Sequence, residues 1–257
     1  MRRLMAVLLM LCGLPVMAAE KVRYCDYPVY PPVSWSDGRQ VRGLAPTVVR
    51  ELFARLGYEV EIVVLGNWKR CLLDAAQGRV DVVLAYDSDQ RDLGMRFSKE
   101  PVVREEVAVF VNRQRPVHFE RLDDLANYRG GLLFGESYGQ AFDRFVARHQ
   151  NIEWVSSSRQ NFGKLIRGRI DFVVQERRTG QLFVESLPDA GDIVALPRVL
   201  SVDYLRVAVS KRSPLSARMA EIDQQLHRMA EKGEIERWLE QSEVTYRDMI
   251  RLPANAP

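Results

Sequence analysis

Histidine and cysteine are scarce in this 257-residue chain, with three of each. His118, His149 and His227 are scattered, and there is no CxxC pair and no Cys/His cluster. The sequence therefore offers no metal-binding pattern and gives no reason to expect a cofactor. Neither sign of charge dominates: 37 lysines and arginines stand against 34 acids, a net +3. That balance excludes the strongly basic face that a nucleic-acid partner requires. Beyond the N-terminus no apolar run approaches the roughly 20 residues of a membrane-spanning helix.

The first residues have the composition of an export signal. Met1-Arg2-Arg3 is a positive start, Leu4 to Leu11 a short apolar core, and Pro15 to Ala19 a small-residue region with cleavage expected after Ala18. Leu11 precedes Cys12, where a lipoprotein signal wants a small residue. Residues 1–18 are thus read as a cleavable signal and the mature protein as soluble in the periplasm. Its loss removes Arg2 and Arg3 and no acid, taking the net charge from +3 to +1. Cys25 and Cys71 remain. In an oxidising compartment they are either bonded to each other, the reading adopted here, or a pair of buried free thiols.

What is present is an alternation of strand-like and helix-like segments. Residues 21–24 read as a strand, and the proline-rich residues 27–32 as loop or extended chain. Ala45, Val48, Val49, Leu52, Phe53 and Leu56 share one helical face that Gly57 is placed to end. Residues 60–65 are a strand, 68–77 a helix stopped by Gly78, and 80–85 a strand. Short joints between such elements are the pattern of a parallel sheet with crossover helices. The unit recurs loosely, with strands at 131–134, 152–155 and 170–174 and helices at 140–149 and 160–167. Residues 194–196 and 205–209 read as strands. Two helices close the chain, the first capped by Ser213 with Pro214 in its first turn and separated from the second by Gly233. Two α/β lobes are expected, each a mixed sheet flanked by helices, with apolar strands at 107–111 and 205–209 as candidate connections. Residues 19–109 plus 206–257 form lobe 1 and 110–205 lobe 2.

In order and spacing these segments resemble the periplasmic solute-binding proteins of the polar amino-acid class, family 3, across nearly the whole mature chain. The residues that carry the resemblance are Tyr30-Pro31-Pro32, Gly43-Leu44, Trp68, Gly78-Arg79-Val80-Asp81, Ser88-Asp89-Gln90-Arg91 and Phe97-Ser98. They continue with Leu122-Asp123-Asp124-Leu125, Gly135-Glu136-Ser137, Gly168-Arg169-Ile170-Asp171 and Lys232-Gly233 to Trp238. The resemblance implies a two-lobed clamshell of the type II periplasmic-binding-protein kind, monomeric, closing on an amino-acid-like ligand and delivering it to an ABC permease. It implies that Arg91 binds the ligand carboxylate, that Gly135 and Ser137 bind the same group from the other lobe, that Glu176 binds the amine and that Tyr30 packs on the side chain.

The chemistry of these residue types agrees. A guanidinium fork pairs with both oxygens of a carboxylate, a helix start offers free N–H donors, and a carboxylate at a strand end faces the crevice of an open α/β sheet. Each residue also has a plainer reading. Arg91 is then a solvated turn charge beside Asp87, Asp89 and Asp92, and Glu176 a surface ion-pair partner of Arg177 and Arg178. Tyr86, five residues before Arg91, stands where the family places a small residue; it either fills part of the pocket or points elsewhere. Trp68 lines the cleft or packs helix against loop. Two other functions use the same fold. One is a sensory binding protein that reports to a membrane receptor. The other is an enzyme resembling cyclohexadienyl dehydratases, whose acid three positions beyond Glu176 is replaced here by Thr179, so no enzymatic activity is expected.

Overall fold

The computed structural model describes residues 20–87 and 94–251. β1 (Glu20–Asp26) leads into a small antiparallel meander of β2 (Val29–Tyr30), β3 (Ser34–Ser36) and β4 (Val41–Arg42). α1 (Leu44–Arg55) buries Leu44, Ala45, Val48, Val49, Leu52 and Phe53, the apolar stripe legible in the sequence. Next come β5 (Tyr58–Val64), α2 (Trp68–Ala76) and β6 (Val82–Tyr86). The side chain of Asn67 caps α2 by accepting from Arg70 N at 2.9 Å. β7 (Met95–Asn112) is followed by a 3₁₀ turn at Leu122–Asn127, β8 (Gly130–Leu133), α3 (Gln140–Val146), β9 (Ile152–Val155), α4 (Ser158–Ile166) and β10 (Phe172–Glu176). α5 (Arg177–Ser186), β11 (Ile193–Ser210), a 3₁₀ turn at Pro214–Arg218, α6 (Met219–Glu231) and α7 (Glu234–Arg251) complete the described chain.

The main strands form one mixed eight-stranded sheet in the order β5-β1-β6-β11-β7-β10-β8-β9. Its halves repeat each other. β5, β1 and β6 run parallel beside antiparallel β11, and β9, β8 and β10 run parallel beside antiparallel β7. β7 and β11, 18 residues each, pair with one another and run through both halves. Residues 107–111 and 205–209 therefore lie on the connecting strands, as expected, but residues 194–196 and 205–209 belong to one long bulged strand rather than two. The repeat extends to side chains. Asp81 Oδ2 accepts from Arg23 N at 2.9 Å, and Asp171 Oδ2 from Arg129 N at 2.8 Å, so each carboxylate steadies the start of the neighbouring strand.

Each half carries helices on both faces of its sheet, the arrangement that hides parallel strands from water. In the first half α1, α6 and α7 pack Leu52, Phe53, Leu226 and Ile235 onto Val82 and Val207. On the opposite face α2 packs Cys71 and Ala75 onto Cys25, Val83 and Ala208. Cys25 and Cys71 are joined as a disulfide, with Cα atoms 5.7 Å apart, which ties β1 to α2. The second half buries Leu132, Phe142, Phe145 and Phe172 on one face, and Phe110, Phe162, Leu165 and Val173 on the other. A buried leucine or phenylalanine contributes roughly 1.5–3 kcal/mol, so these four clusters hold the fold. Val103 belongs to a first-half cluster and Val107 to a second-half one, so the core divides between them along β7.

One helix was not legible in the sequence. α5 follows Glu176 without a turn, and its Gly180 argues against a helix on propensity. Packing decides otherwise. A Cβ at Gly180 would stand 2.2 Å from Phe110 Cζ, so only glycine lets the helix lie this close to the sheet.

Candidate functional site

A cavity of about 60 Å³ lies where the two halves meet, lined by Tyr30, Trp68 and Tyr86 of the first half and Glu136, Gln175 and Glu176 of the second, among others. Strand ends position most of these groups. Asp26 and Tyr86 end β1 and β6, and Gln175 and Glu176 end β10. Each strand belongs to the parallel set of its own half, and the two sets run toward each other, so their C-terminal ends open on one crevice, the place where open α/β sheets bind ligands. Tyr27 Oη donates to the Ser156 carbonyl at 3.1 Å from one half to the other. Gly135, at φ +83°, lies so close to α2 that an added Cβ would stand 3.4 Å from Lys69 Cβ. The halves thus touch around the cavity, in a closed arrangement.

A chain of hydrogen bonds crosses between the halves. Tyr30 Oη lies 2.6 Å from Tyr86 Oη, which donates to Glu176 Oε1 at 3.3 Å. Tyr86, in accepting from Tyr30, leaves its own proton for the carboxyl. Gln175 Nε2 donates to Glu176 Oε2, and Ser158 Oγ donates to Gln175 Oε1 at 3.0 Å, which fixes the amide orientation. Glu176 is 3% exposed, and burial pushes its carboxyl above the ordinary range against the pull of these donors. Burial also raises both tyrosines, which stay protonated. Behind them Glu105 of β7 is 2% exposed, its Oε1 has no hydrogen-bond partner, and burial lifts it to about 8 despite the nearby Arg178.

The opposite wall carries Asp26, which accepts from Ser34 Oγ at 2.8 Å and Tyr24 Oη at 3.0 Å. Burial raises it to about 6. Two buried carboxyls and the less buried Glu136 therefore face the cavity, and among its described lining residues there is no lysine or arginine. An ammonium group placed between Glu176 and Tyr86 would find acceptors and a carboxyl whose ionised form it would favour against burial.

Of the residues singled out from the sequence, Tyr30, Trp68, Tyr86 and Glu176 come together on the cavity wall. Glu176 is not a surface ion-pair partner: Arg177 turns to Glu106 at 3.2 Å and Arg178 to Glu243 at 3.3 Å. Trp68 does both things proposed for it, lining the cavity and packing in the cluster around the disulfide. Gly135 and Ser137 are not on the wall; Glu136 between them is. Ser137 Oγ donates to Asp143 Oδ2 at 2.6 Å and Tyr138 N to Asp143 Oδ1 at 3.0 Å, so the chain's own carboxylate occupies those donors. Arg91 lies outside the described residues. Sequence reasoning missed Asp26, Glu136 and Gln175. The usable signal was positional, since Asp26 and Gln175 fall at the ends of apolar runs that read as parallel strands.

The structure is similar to the amino acid ABC transporter substrate-binding protein AbpA from Streptococcus pneumoniae bound to L-arginine, at 21% identity and TM-score 0.74, covering 90% of this chain and 97% of that one. It is similar to a histidine kinase sensor domain with similarity to periplasmic binding proteins, at 19% identity and TM-score 0.74, covering 85% and 96%. It is also similar to the ancestral amino acid-binding protein AncCDT-1, a precursor of cyclohexadienyl dehydratase, at 19% identity and TM-score 0.71, covering 86% and 94%. At these identities the likeness is one of fold. No curated protein sequence matches the chain. Among the described residues no helix is long and apolar enough to cross a membrane, and no cluster of His, Cys, Asp and Glu is suited to a metal. The family model for bacterial extracellular solute-binding proteins, family 3, matches residues 22–242, and the chain belongs to that family.

Proposed function

We propose that this protein works in the periplasm as a monomeric binding protein that closes on a small amino-acid-like solute and hands it to an ABC permease. The observation that carries the reading is the interlobe cavity, where Tyr30, Tyr86 and Glu176 from opposite halves meet through hydrogen bonds. A solute that touches both walls stabilises the closed form by its extra affinity for it. In this reading Glu176 takes the amine, Tyr30, Tyr86 and Trp68 enclose the side chain, and Arg91 takes the carboxylate. Gly135 and Ser137 assist Arg91 once Asp143 yields their turn. The small cavity, set against the about 300 Å³ or more of a drug-sized site, favours a solute of few heavy atoms.

Capture rather than catalysis fits the helix after Glu176. Thr179 is fully buried, its Oγ1 has no hydrogen-bond partner, and it has no ionisable proton to give. Native mass spectrometry of the purified protein and thermal shift against the free amino acids test the reading. The expected result is a retained or stabilising amino acid whose effect falls at least tenfold in Glu176→Gln and Arg91→Ala. Stabilisation by none of them, or equal stabilisation in both variants, would overturn it. Delivery to a sensory receptor uses the same closure, and permease or receptor pull-down with the loaded protein separates the two.

A further inference from the structure

A second cavity, away from the interlobe site, has the opposite electrostatic character. It measures about 230 Å³ and lies in the groove between α1 and α7, with the β3–β4 hairpin at one side. From α1 it takes Gly43, Pro46, Thr47 and Arg50, and from α7 Trp238, Gln241, Ser242 and Thr245. Both sets have the i, i+3, i+4, i+7 spacing of a single helical stripe. Two helices that pack together normally present apolar side chains along such stripes. Here Thr47, Arg50, Gln241, Ser242 and Thr245 make much of the facing stripes polar, and a space is left between them beside the packed Trp238.

The hairpin adds Trp35, Gln40, Val41 and Arg42. No aspartate or glutamate is among the described residues that line the cavity, although the chain has 34 acids. Arg42 Nε is held by Asp37, which fixes the guanidinium plane and leaves both Nη groups without a hydrogen-bond partner among the described residues. Arg50 is exposed and makes no hydrogen bond or ion pair among the described residues, its charge acting at longer range on Asp26 and Tyr24, and the indole N–H of Trp35, 3% exposed, has no acceptor. Thr47 and Thr245 spend their hydroxyl protons on the carbonyls of Gly43 and Gln241, 2.8 and 2.7 Å away. The protons left to give among the described lining residues are those of the two guanidinium forks and of the amide NH2 groups of Gln40 and Gln241, beside the acceptor oxygens of those amides and of the two threonines.

A donor-rich wall without a carboxylate is complementary to a multi-oxygen anion, because guanidinium forks bind such groups in two-point fashion and amides complete the shell. We propose that this α1–α7 cavity is a second binding site, for a small oxyanion such as phosphate or a polycarboxylate, with Arg50 and Arg42 as its charged contacts. Binding there bridges α1, α7 and the hairpin, all three in the first half, and so stabilises that half directly.

Thermal shift and titration calorimetry with sodium phosphate and with sodium citrate, each against sodium chloride at equal ionic strength, test the site. The expected result is a rise in melting temperature and a measurable heat with at least one of the two oxyanions beyond chloride. Which of the two binds more tightly identifies the source as phosphate or carboxylate. Arg50→Gln, an exposed change on α1, is expected to weaken that binding at least tenfold, and Arg42→Gln likewise. The response to free amino acids at the interlobe cavity stays in Arg42→Gln, whose guanidinium pairs with Asp37 on the hairpin, and this separates the site from the first. Equal effects of chloride and both oxyanions, or undiminished binding in a cooperatively melting Arg50→Gln protein, would overturn the proposal.

Discussion

Glu105→Gln should make the protein less sensitive to pH while leaving its fold in place. Glu105 is 2% exposed on β7, with one oxygen unpartnered and a folded-state value of about 8 against an ordinary 4.5. Burial is the largest cause, and Arg178 offsets part of it. For a carboxyl raised on folding, the unfolded chain gives up its proton first. The contribution of Glu105 to stability is thus complete below about pH 4.5 and is lost as pH rises through about 8. Between about pH 5 and about pH 8.5 the loss amounts to about 4 kcal/mol, at 1.36 kcal/mol per pH unit over most of that window. That is a large share of the 5–15 kcal/mol of a typical domain, roughly speaking. Glutamine keeps the shape and cannot ionise, so this loss should vanish. Urea unfolding of both proteins at the two pH values measures it. The wild type should lose about 4 kcal/mol more than the variant across the window. Parallel losses would show that Glu105 does not titrate in the folded protein as its burial demands.

Other outcomes follow from single contacts. Tyr86→Phe removes the hydroxyl between Tyr30 and Glu176 and leaves both buried partners short of a hydrogen bond; chemical denaturation should show a loss of about 1–3 kcal/mol. Reducing the Cys25–Cys71 disulfide opens a loop with a sequence separation of 46, and the loop-entropy argument gives a loss of about 4 kcal/mol, read as a lower melting temperature in reductant. Gly180→Ala drives a methyl group into Phe110 and should cost about 1–3 kcal/mol in the same assay, whereas an unchanged midpoint would mean α5 can lift off the sheet freely. Asp26→Asn should flatten the pH dependence of stability between about pH 4 and the value of about 6 that burial gives Asp26, a smaller and more acidic window than that of Glu105.

The alternation of elements was legible because periodicity and glycine stops act locally. The stripe of α1, the helix α2 stopped before Gly78 and the repeated Gly-Arg-Val/Ile-Asp segments all appear where their spacing puts them. α5 was not, because its reason lies on another strand, in the ring of Phe110. The length of β7 and β11 was hidden for a similar cause. Their middles carry Glu105, Glu106, Asp203 and Arg206, which break the apolar pattern where the strands pass between the two halves. In the site, Tyr86 and Glu176 stood out by type and position. Gln175 did not, since an uncharged residue one place earlier declares its role only once its amide is seen on the Glu176 carboxyl.

The two buried glutamates explain why closure and solute capture belong together. Burial raises both Glu105 and Glu176, the charge of Glu176 raises Glu105 further, and both act on Tyr30 and Tyr86, which cannot supply a positive charge. With the halves together, Arg178 is the cation that offsets Glu105 among the described residues, and that guanidinium is shared with Glu243 at 3.3 Å. A closed cleft therefore favours at least one neutral carboxyl, or a cation brought in from outside. An ammonium-bearing solute meets that need at Glu176 and favours its ionised form against the upward push of burial. Binding of an amine should then release protons, and the calorimetric heat should change with the ionisation enthalpy of the buffer. Heats that are independent of buffer would mean that Glu176 is already ionised before the amine arrives.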